Sequence, residues 1–252
     1  MSLSPLSVVV ENQFDTTRGR GPTVSNEDVC IVIPAYNEAT TIGGVVTELL
    51  GQFEHVLVVD DGSADDTASL ARAAGAAVAR HPINLGAGAA LETGLAWVAA
   101  HPEFDWVVTF DADGQHLVSD AVRMLARARV TNVDVVLASR FTGSTIDMPT
   151  ARRVLLRGAV AFTRLTTHLN VTDAHNGLRV INTRALPDLH LTQCGMAHAS
   201  ELTSAISAAG LTYCEVSTTV RYSEYSQAKG QRNLNAVNVL FDLAAARMRF
   251  TA

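Results

Sequence analysis

The sequence predicts an α/β fold with a mainly parallel, mixed sheet and helices on both faces, and three observations carry that prediction. Short apolar runs alternate with helix-length segments across residues 29–138. Most of those runs end in a polar cluster, as in Pro34-Ala35-Tyr36-Asn37-Glu38, Asp60-Asp61-Gly62-Ser63 and Ser139-Arg140. The run Val107-Val108-Thr109-Phe110 ends in Asp111 and Asp113, two carboxylates one residue apart. Strands of a parallel sheet are buried on both faces, and their carboxyl ends form the crevice where ligands bind.

The elements follow in order. Residues 1–28 are polar and are expected to be a flexible tail. Residues 29–33 are the first buried strand, ended by Pro34; Thr40 or Thr41 caps a helix reaching about Gln52. Residues 56–59 are the second strand, and Asp65 or Asp66 starts a helix that Gly75 stops. Residues 76–79 read as a weak third strand, 88–100 as a helix, 106–110 as the fourth strand, 119–129 as a helix and 133–138 as the fifth strand. Beyond Thr150 the pattern changes to a helix over 152–169, a turn rich in Gly and Asn, a strand over 178–181, a helix over 199–209 and a strand over 212–220. The expected organisation is a tail over 1–28, one catalytic domain over 29–232 and an amphipathic helix over 233–252.

A net charge of −6 over 252 residues excludes a protein that wraps nucleic acid, because neutralising phosphates needs a basic face. No basic start precedes a secretory core, and no eighteen apolar residues run together; the segment 234–250 is broken by Asn235, Asn238, Asp242 and Arg247. Cys30, Cys194 and Cys214 are widely spaced with no C-x-x-C pair, which suits reduced core thiols in a cytosol. The expectation is therefore a cytoplasmic protein with no transmembrane segment. The stripe Arg153, Arg157 and Arg164 and the amphipathic C-terminal stretch are the candidates for peripheral contact with the inner face of a membrane. A homodimer is a further expectation.

In an extended strand alternate side chains share a face, so Asp111 and Asp113 point into one pocket. Carboxylates that close repel unless a cation neutralises them, and hard oxygen ligands suit Mg²⁺ or Mn²⁺ bridging to a substrate's phosphates.

The four segments Ile33-Pro34-Ala35-Tyr36-Asn37-Glu38, Val59 to Thr67, Asn84 to Leu91 and Asp111 to His116, in that order, resemble the family-two glycosyltransferases of GT-A fold. Within that family the chain is most similar to the branch of dolichol-phosphate mannose synthase and polyprenyl-phosphate sugar transferases, over about residues 29–232. The resemblance implies the GT-A nucleotide-diphospho-sugar transferase fold and an inverting, metal-dependent transfer of a hexose. The donor implied is a nucleotide-diphosphate sugar, UDP favoured over GDP, and the acceptor a glycan or a polyprenyl phosphate. Pro34, Ala35, Tyr36, Glu38 and Asp60 would hold base and ribose, with Asp61 supporting the turn. Asp113 leads as metal ligand, with Asp111 and Gln115 assisting, so that Mg²⁺ or Mn²⁺ offsets charge growing on the leaving diphosphate.

Arg140 and Arg179 match phosphate geometry, donor or acceptor, and their alternative is an ion pair with a nearby carboxylate. Glu201 is the candidate general base for a hydroxyl acceptor, with structural support as its other role; an anionic phosphate acceptor needs no base. Residues 221–232 resemble the mobile loop that closes on the donor, which makes Lys229, the only lysine, and Arg232 candidate phosphate clamps. Ala87 stands where the family often carries Lys or another polar residue, so any contact from that side chain is absent. His116 is either a packing residue or a hydrogen-bonding partner of the carboxylates. Two rival readings stand beside the transferase: an aspartyl phosphatase, echoed by Asp111-Ala112-Asp113, and a non-catalytic nucleotide-sugar-binding protein.

Overall fold

The computed structural model describes residues 10–11, 26–140, 169–173, 176–189 and 198–221. Among them lie strands β1 (Val10–Glu11), β2 (Val29–Ala35), β3 (His55–Asp60), β4 (Ala77–Arg80), β5 (Trp106–Thr109), β6 (Val135–Ser139), β7 (Arg179–Asn182) and β8 (Tyr213–Ser217). The helices are α1 (Ile42–Leu50), α2 (Thr67–Ala74), α3 (Ala87–Ala99), α4 (Val118–Thr131) and α5 (His198–Ala208), with a 3₁₀ turn at Thr183–Asp188. Residues 152–168 of the helix expected over 152–169, the segment 222–252 with Lys229 and Arg232, and Cys194 lie outside the described residues. The two-residue β1, antiparallel to β4, falls inside the stretch read from sequence as a tail.

All strands join one sheet in the order β1-β4-β3-β2-β5-β7-β6-β8. Strands β4, β3, β2 and β5 are mutually parallel, as are β6 and β8, while β7 runs antiparallel to both β5 and β6. The predicted α/β sheet is thus present, and it is mixed because the late strand β7 inserts between two earlier ones.

Alternation along the buried strands builds two cores. Val29, Ile31 and Ile33 face one way and pack with Val45, Val46 and Leu49 of α1, Ala71 of α2 and Met124 of α4. Cys30 and Val32 face the other way, with Leu91, Leu95 and Val98 of α3 and Leu202 and Ile206 of α5. Helices therefore cover both faces, as the sequence pattern predicts. Cys30 is a core thiol, whereas Cys214 is only half-buried.

Pro34 does not end the first strand, which continues to Ala35. The Val32 carbonyl accepts from Phe110 N–H on the β5 side, and the Ala35 carbonyl accepts from Asp61 N–H on the β3 side. Pro34 shares the parity of Val32, so its missing N–H faces beyond the last β2–β5 register pair, Val32 with Thr109. Proline is tolerated there because no ladder bond is lost. Thr41 occupies the N-cap position of α1, but its hydroxyl bonds Glu38 instead of a helix N–H. Gly75, at φ 104°, ends α2 as expected.

Close approach of α3 to the sheet depends on Gly94: a Cβ there would stand 2.3 Å from Val32 Cγ1. Gly94→Ala should therefore destabilise the chain by about 1–3 kcal/mol, outweighing the ~1 kcal/mol helix preference for alanine. Urea unfolding checks this, and adding Val32→Ala should recover part of the loss.

Candidate active site

The site lies at the carboxyl ends of β3, β2 and β5, on either side of the point where the strand order reverses. Two loops form its first wall, and backbone-to-side-chain bonds lace them together. Asn37 N–H donates to Ser63 Oγ at 2.9 Å, and Ala64 N–H donates back to Asn37 Oδ1 at 2.9 Å. Glu38 N–H donates to Thr67 Oγ1 at 2.8 Å, and Ala39 N–H to Asp65 Oδ2 at 3.1 Å. Asn37 adopts a left-handed φ of 53°, a conformation asparagine tolerates better than most residues. Tyr36, 45 % exposed, stands on the rim, while Ala35 is buried.

Asp60 and Asp61 are both fully buried and do different work. Asp61 is a brace. Its Oδ1 accepts from His81 Nδ1 at 2.7 Å and from Leu85 N–H at 2.9 Å, and its Oδ2 accepts from Gly86 N–H at 2.7 Å. His81 Nε2 in turn meets Thr93 Oγ1 at 2.9 Å, which ties the loop before α3 to the helix itself. Asp60 has capacity left: Ser63 N–H reaches Oδ1 at 3.2 Å, while Oδ2 is buried without a hydrogen bond. Arg80 Nε lies 2.9 Å from that Oδ2 but lacks hydrogen-bond alignment. Gly62, at φ 70°, lets the turn pass Ile83, whose carbonyl carbon a Cβ would meet at 2.5 Å.

The carboxylate pair forms the centre. Asp111 is 43 % exposed at its side chain, and its Oδ2 accepts from His116 Nε2 at 2.8 Å. His116 is held edge-on against Phe110, 5.7 Å between centroids, so the imidazole orients Asp111 and the hydrogen-bonding expectation for His116 holds. Gly177 supports Asp111 from β7's side: a Cβ there would lie 2.2 Å from Asp111 Oδ1. Gly177 is itself fixed by Thr109 Oγ1, which donates to its carbonyl at 2.6 Å. Burial, then the charge of Asp111, pushes the Asp113 carboxyl from 3.8 up to about 6, against a bond from Gln115 N–H at 3.0 Å, and Glu38 adds negative charge nearby.

Whether these residues suit Mg²⁺ or Mn²⁺ can be judged from the donor set. No group of three or more His, Cys, Asp or Glu among the described residues could cage a metal alone. Two crowded carboxylates plus the amide oxygen of Gln115 instead suit a hard cation that keeps positions open for substrate phosphates.

Arg140 takes the ion-pair alternative. Its Nε and Nη2 grip Asp173 at 2.7 and 2.8 Å, its backbone N–H adds a bond to Asp173 Oδ2 at 3.1 Å, and both residues are buried. This pair sets the end of β6. Glu201 lies in the first turn of α5, half-buried, beside the core residue Leu202. Arg179 is buried at the start of β7, near Asp111 and Asp173. Sequence reading did not assign roles to Asn37, Ser63, Arg80, His81, Asp173 or Gly177. Each has a partner 17 or more residues away that only the folded sheet brings to it.

Residues 30–189 match Glycosyl transferase family 2. The chain is similar to the UDP-N-acetylglucosamine–dolichyl-phosphate N-acetylglucosaminyltransferase of Methanococcus voltae, 28% identical over 242 residues, covering 87% of this chain and 96% of the relative. It is also similar to the polyprenol monophosphomannose synthase of Mycolicibacterium smegmatis, 31% identical over 173 residues and 64% of each chain. Among solved structures, glucosyl-3-phosphoglycerate synthase from Mycobacterium tuberculosis with Mn²⁺, UDP-glucose and phosphoglyceric acid superposes with a TM-score of 0.65. That match is 21% identical and covers 92% of this chain and 86% of the other. No helix among the described residues is long and apolar enough to cross a membrane.

Two outcomes follow from the carboxylate geometry. A methyl group at Gly177 collides with Asp111, so Gly177→Ala should weaken Mn²⁺ binding in the presence of nucleotide at least tenfold, read by calorimetry. The raised Asp113 pKa means that the folded, metal-free chain holds more protons than the unfolded one between pH 3.8 and about 6. Stability is therefore lost as pH rises through that window, and the loss is complete above it. Asp113→Asn should raise the Tm of chelator-treated protein by about 4 °C at pH 7.5 and by little at pH 4, from an effect on the order of 2 kcal/mol.

Proposed function

The chain belongs to glycosyl transferase family 2, and from that premise we propose that it transfers a hexose from a UDP-sugar to a polyprenyl-phosphate acceptor, with inversion at the anomeric carbon. It is a GT-A glycosyltransferase that draws its sugar from a nucleotide sugar. Family membership sets aside the aspartyl phosphatase and the non-catalytic binding protein.

The observation that carries the proposal is the arrangement of Asp60 at the end of β3 and Asp111 with Asp113 at the end of β5, with β2 between them. One end suits a base and the other a diphosphate. Asp60 Oδ1 is committed to Ser63, and Oδ2, ion-paired with Arg80 at 2.9 Å, accepts no hydrogen bond, which leaves it room for one N–H donor. Uracil offers a single imide N–H, whereas guanine presents two adjacent donor groups that call for both carboxylate oxygens. This favours UDP over GDP. A polyprenyl-phosphate acceptor agrees with what two relatives are named for, a dolichyl phosphate and a polyprenol phosphate.

Asp113, Asp111 and Gln115 would hold Mg²⁺ or Mn²⁺. When bound, the ion stabilises negative charge that develops on the leaving diphosphate. His116 and Gly177 keep Asp111 aimed, and Asp61 keeps the loop before α3 in place. An acceptor oxygen attacks the anomeric carbon on the face opposite the diphosphate; the new carbon–oxygen bond forms as the bond to the β-phosphate oxygen breaks, and the electron pair leaves with the nucleotide. A phosphate oxygen arrives already anionic, so no proton moves. With a hydroxyl acceptor, the proton would pass to the carboxylate of Glu201.

Calorimetric titration of UDP and GDP, each with Mn²⁺, Mg²⁺ or chelator, tests the donor site. UDP should bind only with metal, GDP at least tenfold more weakly, and Asp113→Ala should lower UDP affinity a hundredfold. Metal-independent binding, or equal binding by the mutant, would contradict the proposal.

A further inference from the structure

Asp120 is a buried carboxylate, 3% exposed, with no part in the transfer chemistry proposed above. It stands in the first turn of α4, where an acidic residue is ordinarily explained by the helix dipole. Its oxygens are committed further afield. Oδ1 pairs with Arg123 on the same helix, and Oδ2 accepts from the N–H of Thr219 at 2.7 Å, 99 residues along the chain. Arg123 adds a second tie, donating from Nη2 to the Ser217 carbonyl at 2.9 Å. A carboxylate taken out of water must recover its hydrogen bonds from the protein, and this one recovers them by holding the chain that leaves β8.

That chain runs back toward the carboxylate pair one residue at a time. Thr218 N–H donates to the carbonyl of Ser139, at the end of β6, at 3.0 Å. Thr219 then meets Asp120, and Val220, buried, forms an isolated antiparallel bridge with His116. Arg221 N–H donates to the Gln115 carbonyl at 2.9 Å. Residues 218–221 are thus a strap that begins at the far edge of the sheet and ends on the loop after β5. The two loop residues it reaches are the two that orient the carboxylates. Gln115 N–H donates to Asp113 Oδ1 at 3.0 Å, and His116 Nε2 meets Asp111 Oδ2 at 2.8 Å. The backbone of Gln115 is therefore held on both sides, by Arg221 at its carbonyl and by Asp113 at its N–H.

We propose that Asp120 is a positioning residue for the metal and the diphosphate: by anchoring the strap it fixes the backbone of Gln115 and His116, and through them the aim of Asp113 and Asp111. The inference rests on the metal-site reading above and deepens it. A divalent cation of the size of Mn²⁺ binds carboxylate oxygens at short, fixed distances, so an anchor that never touches the ion still governs its affinity.

Calorimetric titration of Mn²⁺ into the full chain with UDP present tests this, for wild type, Asp120→Ala, Asp120→Asn, Arg221→Pro and the double variant of Asp120→Ala with Arg221→Pro. Asparagine keeps an oxygen for Thr219 N–H, and proline at the exposed position 221 removes the N–H that Gln115 accepts. Asp120→Ala should weaken Mn²⁺ binding at least tenfold and Arg221→Pro at least fivefold, while Asp120→Asn should recover to within threefold of wild type. Because both positions act through one strap, the double variant should lie within twofold of Asp120→Ala, where independent effects would multiply. Unchanged affinity in either Asp120→Ala or Arg221→Pro overturns the inference, and Arg221→Pro decides it where Asp120→Ala does not fold. Multiplied losses in the double variant also overturn it, because the two residues would then act separately. So does a loss in Asp120→Asn equal to that in Asp120→Ala, since charge and not the hold on Thr219 would be responsible. Wild type that binds no Mn²⁺ with UDP present overturns the metal reading itself, and the role of Asp120 with it.

Discussion

Two carboxylates at the end of a buried strand repel each other, and the architecture around them answers that repulsion. Asp113 has its pKa driven up to about 6 by burial and by Asp111, a strain that the metal-free protein carries in its folded state. The fold steers Asp111 with His116, seats it on Gly177, and places the buried charge of Arg179 close by. In the proposed reading a cation and its phosphates would offset this repulsion, and the cost to the empty protein would be the counterpart of its affinity for them.

Such a site works only if its walls are stiff. The loops after β2 and β3 are irregular backbone, yet reciprocal bonds between Asn37 and Ser63–Ala64, with Glu38–Thr67 and Ala39–Asp65, turn them into one unit. Asp61 does the same for the loop before α3 through His81, Leu85 and Gly86. Asp60 is thus left, between two braced loops, with an oxygen to offer. Adjacent identical residues differ in role because strand parity and turn geometry send their side chains to different places.

Much of this was legible in the amino-acid sequence. The apolar runs of β2, β3, β5 and β6 stand out because strands buried on both faces are built mostly of apolar residues, and Asp111 and Asp113 stand out because they break one such run. Helix ends were readable at Gly75 but not at Thr41, whose hydroxyl turned to Glu38. The insertion of β7 between β5 and β6 was not legible, since local periodicity carries no information on strand neighbours. Arg140 could equally have bound phosphate or a carboxylate, and the choice depended on Asp173, 33 residues later. Pro34 looked like a strand stop because sequence alone does not say which side of a strand lacks a partner. Gly177 looked like a turn residue, and only its contact with Asp111 gives it a role in the site.

In the proposed function Asp111 and Asp113 hold a divalent cation that meets a nucleotide's diphosphate. Anomalous diffraction at the manganese edge, from crystals of the chain grown with UDP and Mn²⁺, tests it most directly. One strong peak is expected about 2.1 Å from a carboxylate oxygen of Asp113 and at similar distance from a diphosphate oxygen, with the uracil at Asp60. A nucleotide bound without that peak, or a manganese ion bound away from both carboxylates, would contradict it.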